Sequence, residues 1–283
     1  MPFTLSHAAA ALPFRKFKPV WPALVIGTFA PDLQYFIWIS EEDRSGHHYP
    51  DVLIFTLPLA LLVLWAFECI VKGPVIELLP SGLQRRMQDK IAPLSFWGWR
   101  RFSAIVFWIA VGIATHLVWD QFTHGHSRLA AYWSLLRMKV PLTFPHPMLL
   151  AGVLQDASTI LGLLVLLLWC TAWYLRTAPV PISQMREFPP FVKVAITLSM
   201  IMIALLAGYR YGIFALSAQG KPISRSYLAA TVFEAVTLVF CVELLFYGLA
   251  QTVANRSRQV TPGQLDETAA DLQAENKTTS ARH

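Results

Sequence analysis

The chain is short of charge, of cysteine and of flexible linkers, and each shortage excludes a class of protein. Only 14% of its 283 residues are Asp, Glu, Lys or Arg, against about 25% in an ordinary soluble domain. Apolar residues make up 55% and the mean hydropathy is +0.48, so a soluble fold is excluded, and so is disorder outside the C-terminal tail. The three cysteines, Cys69, Cys170 and Cys241, sit far apart in apolar runs with no CxxC pair. Neither a disulfide framework nor a thiolate metal site is indicated. No internal repeat or glycine-rich linker stands out. The opening stretch, in which Arg15 and Lys16 follow rather than precede the apolar residues, does not read as a signal peptide. What excess charge there is amounts to +6, which fits the basic flanks of membrane helices and gives no indication of nucleic acid.

Apolar runs long enough to cross a bilayer, about 20 residues each, cover Val52 to Ile70, Met148 to Leu175, Phe191 to Leu216 and Tyr227 to Val253. A shorter run, Ser103 to Trp119, ends in polar Asp120-Gln121-Phe122-Thr123-His124. A sixth, Trp21 to Ile39, contains Pro22, Pro31 and Asp32, which predicts a broken or shallow helix. The expected fold is an all-α, polytopic integral membrane bundle of five or six spans with a broken N-terminal helix. We divide it into a membrane domain over 1–175 carrying the chemistry, two further membrane helices over 176–254, and a polar tail over 255–283, disordered or weakly helical.

Basic residues mark the cytoplasmic ends of spans. Lys72, Arg85, Arg86, Lys90, Arg100 and Arg101 follow the Val52 run closely, which places that segment inside and the ends carrying His47-His48 and Asp120 to Pro147 outside. If Trp21 to Ile39 spans, Arg15, Lys16 and Lys18 also lie inside and the Lys and Arg count is 16 against 7; otherwise it is 13 against 10. The charge rule prefers six spans.

The segment that carries chemistry runs from Thr115 to His126. His116, Asp120 and His124 are spaced four and four, so on a helix they form one stripe. Imidazole nitrogens with a carboxylate oxygen suit zinc or a similar divalent metal. The plainer reading is a hydrogen-bonded helix end with a solvated Asp120. Asp32 interrupts an apolar run, where ionisable residues are costly and usually functional, or it caps a helix after a proline break. His47 and His48 precede the Val52 run, and His7 lies in a short N-terminal segment. Six of the eight histidines fall within the first 126 residues, an asymmetry that packing does not explain.

The opening Met1-Pro2-Phe3-Thr4-Leu5-Ser6-His7, the Ala30-Pro31-Asp32 element and the Thr115 to His124 motif resemble the bacterial membrane family called domain of unknown function 4184, from Met1 to about Leu175. The order of elements is also similar to inner-membrane metal-dependent hydrolases and, more remotely, to the zinc phospholipase C and S1/P1 nuclease group. The resemblance implies a multi-pass protein of the bacterial inner membrane in which His7, Asp32, His47, His116, Asp120 and His124 are metal ligands. Where family members carry a histidine after a glutamine, this chain has Gln155-Asp156. Asp156 either replaces that ligand with an oxygen or leaves the position empty of one.

A zinc ion so held would lower the pKa of its water to about 7 and polarise a phosphoryl or carbonyl oxygen. Asp156 or a non-ligating Asp32 would accept the water's proton, and Arg128 would hold an anionic group. The expected function is metal-dependent hydrolysis of a phosphoester, a small molecule or a lipid headgroup, with membrane lipids as partners. The alternatives are a structural His/Asp site without catalysis, and a transporter using the span acids Glu68, Glu234 and Glu243. One conflict is built in. If Trp21 to Ile39 spans, His7 lies about 30 Å from His116 and cannot share its metal. We therefore expect a broken, non-spanning N-terminal helix pair.

Overall fold

A computed structural model describes residues 4–17, 20–38, 50–141, 147–181, 187–218 and 225–280. Five of its helices are long and apolar enough to cross a membrane: Val52–Leu78, Trp99–Tyr132, Leu150–Arg176, Pro190–Phe214 and Leu228–Asn255. The fold is all-helical apart from a two-stranded ribbon, as the apolar runs require. The broken N-terminal helix is also present. After a 3-10 helix at Thr4–Phe14, helix α1 (Trp21–Phe29) gives way to a 3-10 turn at Ala30–Asp32 before α2 (Leu33–Trp38). Pro31, which has no N–H to donate into an α-helical ladder, sits in that turn.

The first long rod is not uniformly α-helical. Wide π turns at Val52–Thr56 and Phe67–Val71 flank α3 (Leu57–Ala66), and α4 (Lys72–Leu78) completes it. After α5 (Ser81–Arg86), the chain turns at Gly98, whose φ of +94° favours glycine, into α6 (Trp99–Thr123). A short α7 (Arg128–Tyr132) follows. Strands β1 (Lys139–Val140) and β2 (Met148–Leu149) then pair antiparallel and lead into α8 (Leu150–Arg176). Helices α9 (Pro190–Ala218) and α10 (Arg225–Ser280) pack on each other. Gly208 and Gly212 of α9 lie directly against the backbones of Val236 and Val232, an approach that only small residues permit.

Residues 4–38 form a hairpin that enters and leaves at the same end of α6. His7 stacks on His116; Phe14 and Phe17 then reach Trp108, eight residues and about 12 Å nearer the N-terminus of α6. The chain turns there, Trp21 packs on Trp169 of α8 and donates to the Ala11 carbonyl at 2.9 Å, and α1 climbs back until Thr28 meets His116. This geometry removes the conflict left by the sequence. Arg15 and Lys16 sit at the turn, beside Phe14 and Phe17 that pack on Trp108 nearer the N-terminus of α6, while His7 and Asp32 both stay by His116. Neither limb has to span.

The hairpin is held by the buried core of Ala23, Ala30, Ala60, Leu64, Ile105, Ile109 and Ile113. Its closest point is a backbone-to-backbone crossing of α1 and α6. A Cβ added to Gly27 would lie 2.3 Å from the Ile109 carbonyl oxygen, and one added to Gly112 would lie 2.4 Å from that of Leu24. Gly162 of α8 closes on Ser6 in the same way.

Glu68 is buried and accepts from Lys72 and from the Leu94 amide at 2.8 Å, which ties the loop before α6 to the first rod. Glu234 is buried and Glu243 half-buried on α10.

Gly27→Ala should lower the apparent melting temperature in detergent, because backbone atoms cannot yield as a flexible side chain would; overpacking of this kind costs about 1–3 kcal/mol. Gly73→Ala, where nothing lies within 4 Å of an added Cβ, should leave it unchanged.

Candidate metal centre

Two remote segments build the centre. His116 and Asp120 lie one turn apart on α6, on the face turned toward the hairpin, and are 1% and 7% exposed. They are buried together because α1 covers that face down to the Gly27–Gly112 crossing. His116 Nδ1–H donates to the Thr28 carbonyl oxygen at 2.8 Å. A carbonyl only accepts, so Nδ1 carries a proton and Nε2 turns inward. Nε2 lies 3.1 Å from Asp120 Oδ2 and 3.4 Å from Asp32 Oδ1.

His7 comes from the 3-10 helix. Its ring stacks on that of His116, centroids 4.0 Å apart and planes 21° from parallel, and its Nε2 is 3.9 Å from Asp120 Oδ1. One donor atom from each of His7, His116 and Asp120 lies within 4.8 Å of the other two. His7 Nε2 is buried and has no hydrogen-bond partner among the described residues. Leaving a buried polar group so costs about 1–3 kcal/mol. Burial, and next the neighbouring charge of His116, pull the His7 pKa down from 6.5 to about 4. The imidazole is therefore neutral at pH 7, the form that ligates metals.

Asp32, 2% exposed, sits in the 3-10 turn beside the cluster. The Thr4 hydroxyl donates to its Oδ2 at 2.8 Å. Burial by itself raises a carboxyl pKa; here the hydrogen bond and charge that His116 offers when doubly protonated, with the Thr4 bond, outweigh it and hold Asp32 below the ordinary carboxylate range.

Of the residues proposed from sequence, the structure thus brings His7, His116 and Asp120 into one group with Asp32 at its edge. His124 stands at the edge of the cluster. Helix α6 ends at Thr123, and His124 is its extended C-cap, with a side chain 37% exposed and Nδ1 3.8 Å from Asp120 Oδ1. It borders the centre and lies outside the grouped donors. Arg128 is exposed at the start of α7. Asp156 is exposed on α8, and its carboxylate is not among the grouped atoms. His47 lies outside the described residues.

Two contributors carried no role in the sequence reading. Thr4 holds Asp32, and the Thr28 carbonyl orients His116. In a 3-10 helix residues three apart fall on one face, so Thr4 and His7 share a side. That relation appears only once the 3-10 geometry is known, and the carbonyl leaves no trace in a side-chain pattern.

The fold and the site together define a class: a multi-pass helical membrane protein in which an N-terminal hairpin closes a buried His/His/Asp cluster against a membrane helix. Residues 1–252 match the family model described as Domain of unknown function (DUF4184), and the chain belongs to that family. The match extends past Leu175, where the sequence resemblance stopped, through α9 and nearly all of the apolar part of α10. No curated protein and no solved structure matches the chain, so no relative supports the more distant resemblance to hydrolases, phospholipase C and nucleases.

The neutral, buried His7 makes a prediction about acid stability. An unfolded chain protonates this histidine near pH 6.5, whereas the folded one resists protonation down to about 4. The unfolded state therefore binds more protons in that window, and stability falls as the pH is lowered through it. In chelator-treated protein in detergent, His7→Gln should flatten the decline in melting temperature between pH 6.5 and 4.

Proposed function

We propose that the His7, His116 and Asp120 cluster binds a divalent metal, zinc by ligand type, and that the protein is a membrane-bound metal-dependent hydrolase acting on a phosphoester. The observation that carries the metal reading is the buried, partnerless Nε2 of His7 beside a second inward-turned imidazole and a carboxylate. Two imidazoles and a carboxylate form the three-ligand set common in catalytic zinc sites, which keep a further position open. A bound zinc would supply hydroxide at neutral pH and polarise a phosphoryl oxygen.

The chain's own groups take the remaining tasks. The Thr28 carbonyl keeps Nε2 of His116 aimed at the cluster, as outer-shell partners of metal-bound histidines commonly do. Asp32 is the acid placed to accept a proton: its Oδ2 is held by Thr4, and its Oδ1 faces the cluster. His124, partly exposed at the rim, is the group placed to meet a substrate anion or leaving group. The basic segments at the opposite end of α6 support placing this end on the outer face of a plasma membrane.

A second reading has its own support. His116 Nε2 lies between oxygens of Asp120 and Asp32, so a doubly protonated His116 would bridge both carboxylates in a structural network without metal. The orphaned nitrogen of His7 weighs against it.

Metal analysis of detergent-purified protein decides between them. The metal reading expects a stoichiometric divalent ion, lost in His7→Ala, His116→Ala and Asp120→Ala. Asp32→Asn should retain the ion and lower turnover of a generic phosphodiester by about 10²-fold or more, the usual size of a proton-transfer contribution. A metal-free wild-type protein grown with zinc would establish the structural network instead. Bound metal without phosphodiester turnover would remove the hydrolase assignment alone.

A further inference from the structure

The connection between the first membrane rod and α6 ends in Leu94-Ser95-Phe96-Trp97-Gly98-Trp99-Arg100-Arg101-Phe102, with two tryptophans and two arginines inside five residues. No Asp or Glu lies between Asp89 and Asp120. Trp97 is 91% and Trp99 81% exposed, and both arginines are exposed as well. The backbone beneath them is firmly held. The Leu94 amide donates to the buried Glu68 carboxylate at 2.8 Å, and Lys72 Nζ donates to the Ala92 carbonyl oxygen at 2.8 Å. Leu94 and Phe96 pack on the core around Ile105, which leaves the alternate residues Ser95 and Trp97 exposed. Gly98, at φ +94°, then turns the chain so that Trp99 opens α6.

The cations of this connection divide into two kinds. Of the six basic residues from Lys72 to Arg101, four are engaged within the protein. Lys72 pairs with Glu68, Arg85 with Glu187 and Lys90 with Asp89, and Arg86 donates to the carbonyls of Gly82 and Tyr174. The guanidiniums of Arg100 and Arg101 have no hydrogen bond or ion pair among the described residues. Positive side chains in a first turn oppose the helix macrodipole, so α6 itself gains nothing from them. Two free guanidiniums beside two exposed indoles are suited to an anion outside the chain.

Location selects that anion. Val52–Leu78 and Trp99–Tyr132 are both long and apolar enough to cross a bilayer, so the connection between them lies at a membrane surface. Indole rings settle at headgroup level, and guanidinium matches phosphate oxygens bidentately. The segment holds no acid to meet a choline or ethanolamine ammonium, which favours a head of net negative charge. We infer that residues 97–101 form a docking surface for anionic phospholipid headgroups, with the phosphates on Arg100 and Arg101 and the glycerol region against the two indoles. Arg100 stands about 24 Å along α6 from His116, so this surface is separate from the metal centre and does not depend on its reading.

The test uses the full-length protein in phosphatidylcholine vesicles doped, in equal amounts, with one of two probes: a phosphatidylglycerol or a phosphatidylcholine, each bearing the same diazirine next to the glycerol. After photolysis, mass spectrometry should find residues 95–102 labelled more densely by phosphatidylglycerol than by phosphatidylcholine. Arg100→Gln combined with Arg101→Gln should lower the phosphatidylglycerol label there at least fivefold, the scale expected for basic residues at an anionic surface, and leave the phosphatidylcholine label unchanged. Arg100→Lys with Arg101→Lys keeps the charge and should keep most of the label, and His116→Ala should change nothing. An unchanged melting temperature in detergent checks that each variant is folded. Equal label from the two lipids would reduce the segment to an unselective aromatic belt and overturn the inference. So would a phosphatidylglycerol preference that survives the paired Gln substitutions.

Discussion

The crossing of α1 over α6 at Gly27 and Gly112 is the contact on which the buried His/His/Asp cluster depends. With no Cβ on either helix the two backbones touch, and the next residue, Thr28, presents its carbonyl oxygen to His116 Nδ1. The same approach carries Asp32, one turn further on, to the inner nitrogen of that imidazole. Were the helices separated by one side chain, the carbonyl would no longer reach the ring and the carboxylate would lose its place. Close helix contact in a membrane gains little from the hydrophobic effect, since lipid is as apolar as the core, and rests on packing and polar bonds. Here the polar bonds and the buried His/His/Asp cluster are the same groups.

The N-terminal hairpin reconciles two demands that compete in the sequence. Basic residues favour the cytoplasmic end of a bundle, which asks Arg15 and Lys16 to lie away from the buried cluster, and the turn places them there. A buried polar cluster needs side chains that converge within a few ångströms, and His7 and Asp32 meet His116 and Asp120 at the open end of the two limbs. A spanning helix would have met the first demand and defeated the second. The limbs are short and irregular, one a 3-10 helix and the other interrupted at Pro31, and so their exposed backbone groups must be covered by protein. Helices α6 and α8 supply that cover on either side.

Buried ionisable groups in such a place are expensive unless paired or ligating. His116 shares its inner nitrogen between two carboxylates and donates the outer one to a carbonyl, and Asp32 has the Thr4 hydroxyl. His7 is the exception: buried, neutral and stacked, with Nε2 turned to the cluster and bonded to nothing described. A protein built only for stability would gain by replacing it with an apolar ring of similar size. Its presence is the strongest physical reason for reading the cluster as a binding site.

Much of the architecture was legible from composition and spacing. Low charge and long apolar runs dictate membrane helices, Pro31 beside Asp32 dictates the break, and the spacing of four places His116 and Asp120 on one helical face. At His124 α6 has already ended, and the residue borders the cluster as an extended C-cap with Nδ1 3.8 Å from Asp120 Oδ1; helix termini depend on capping contacts that periodicity does not encode. Asp156 and Arg128 drew notice through chemistry and family likeness, but both are exposed. Periodicity is a local property, fixed by the rise and twist of one helix, and the sequence alone determined it. Whether His7 meets Asp120 depends on how closely two backbones pack and where the chain reverses, and only the tertiary structure decided that.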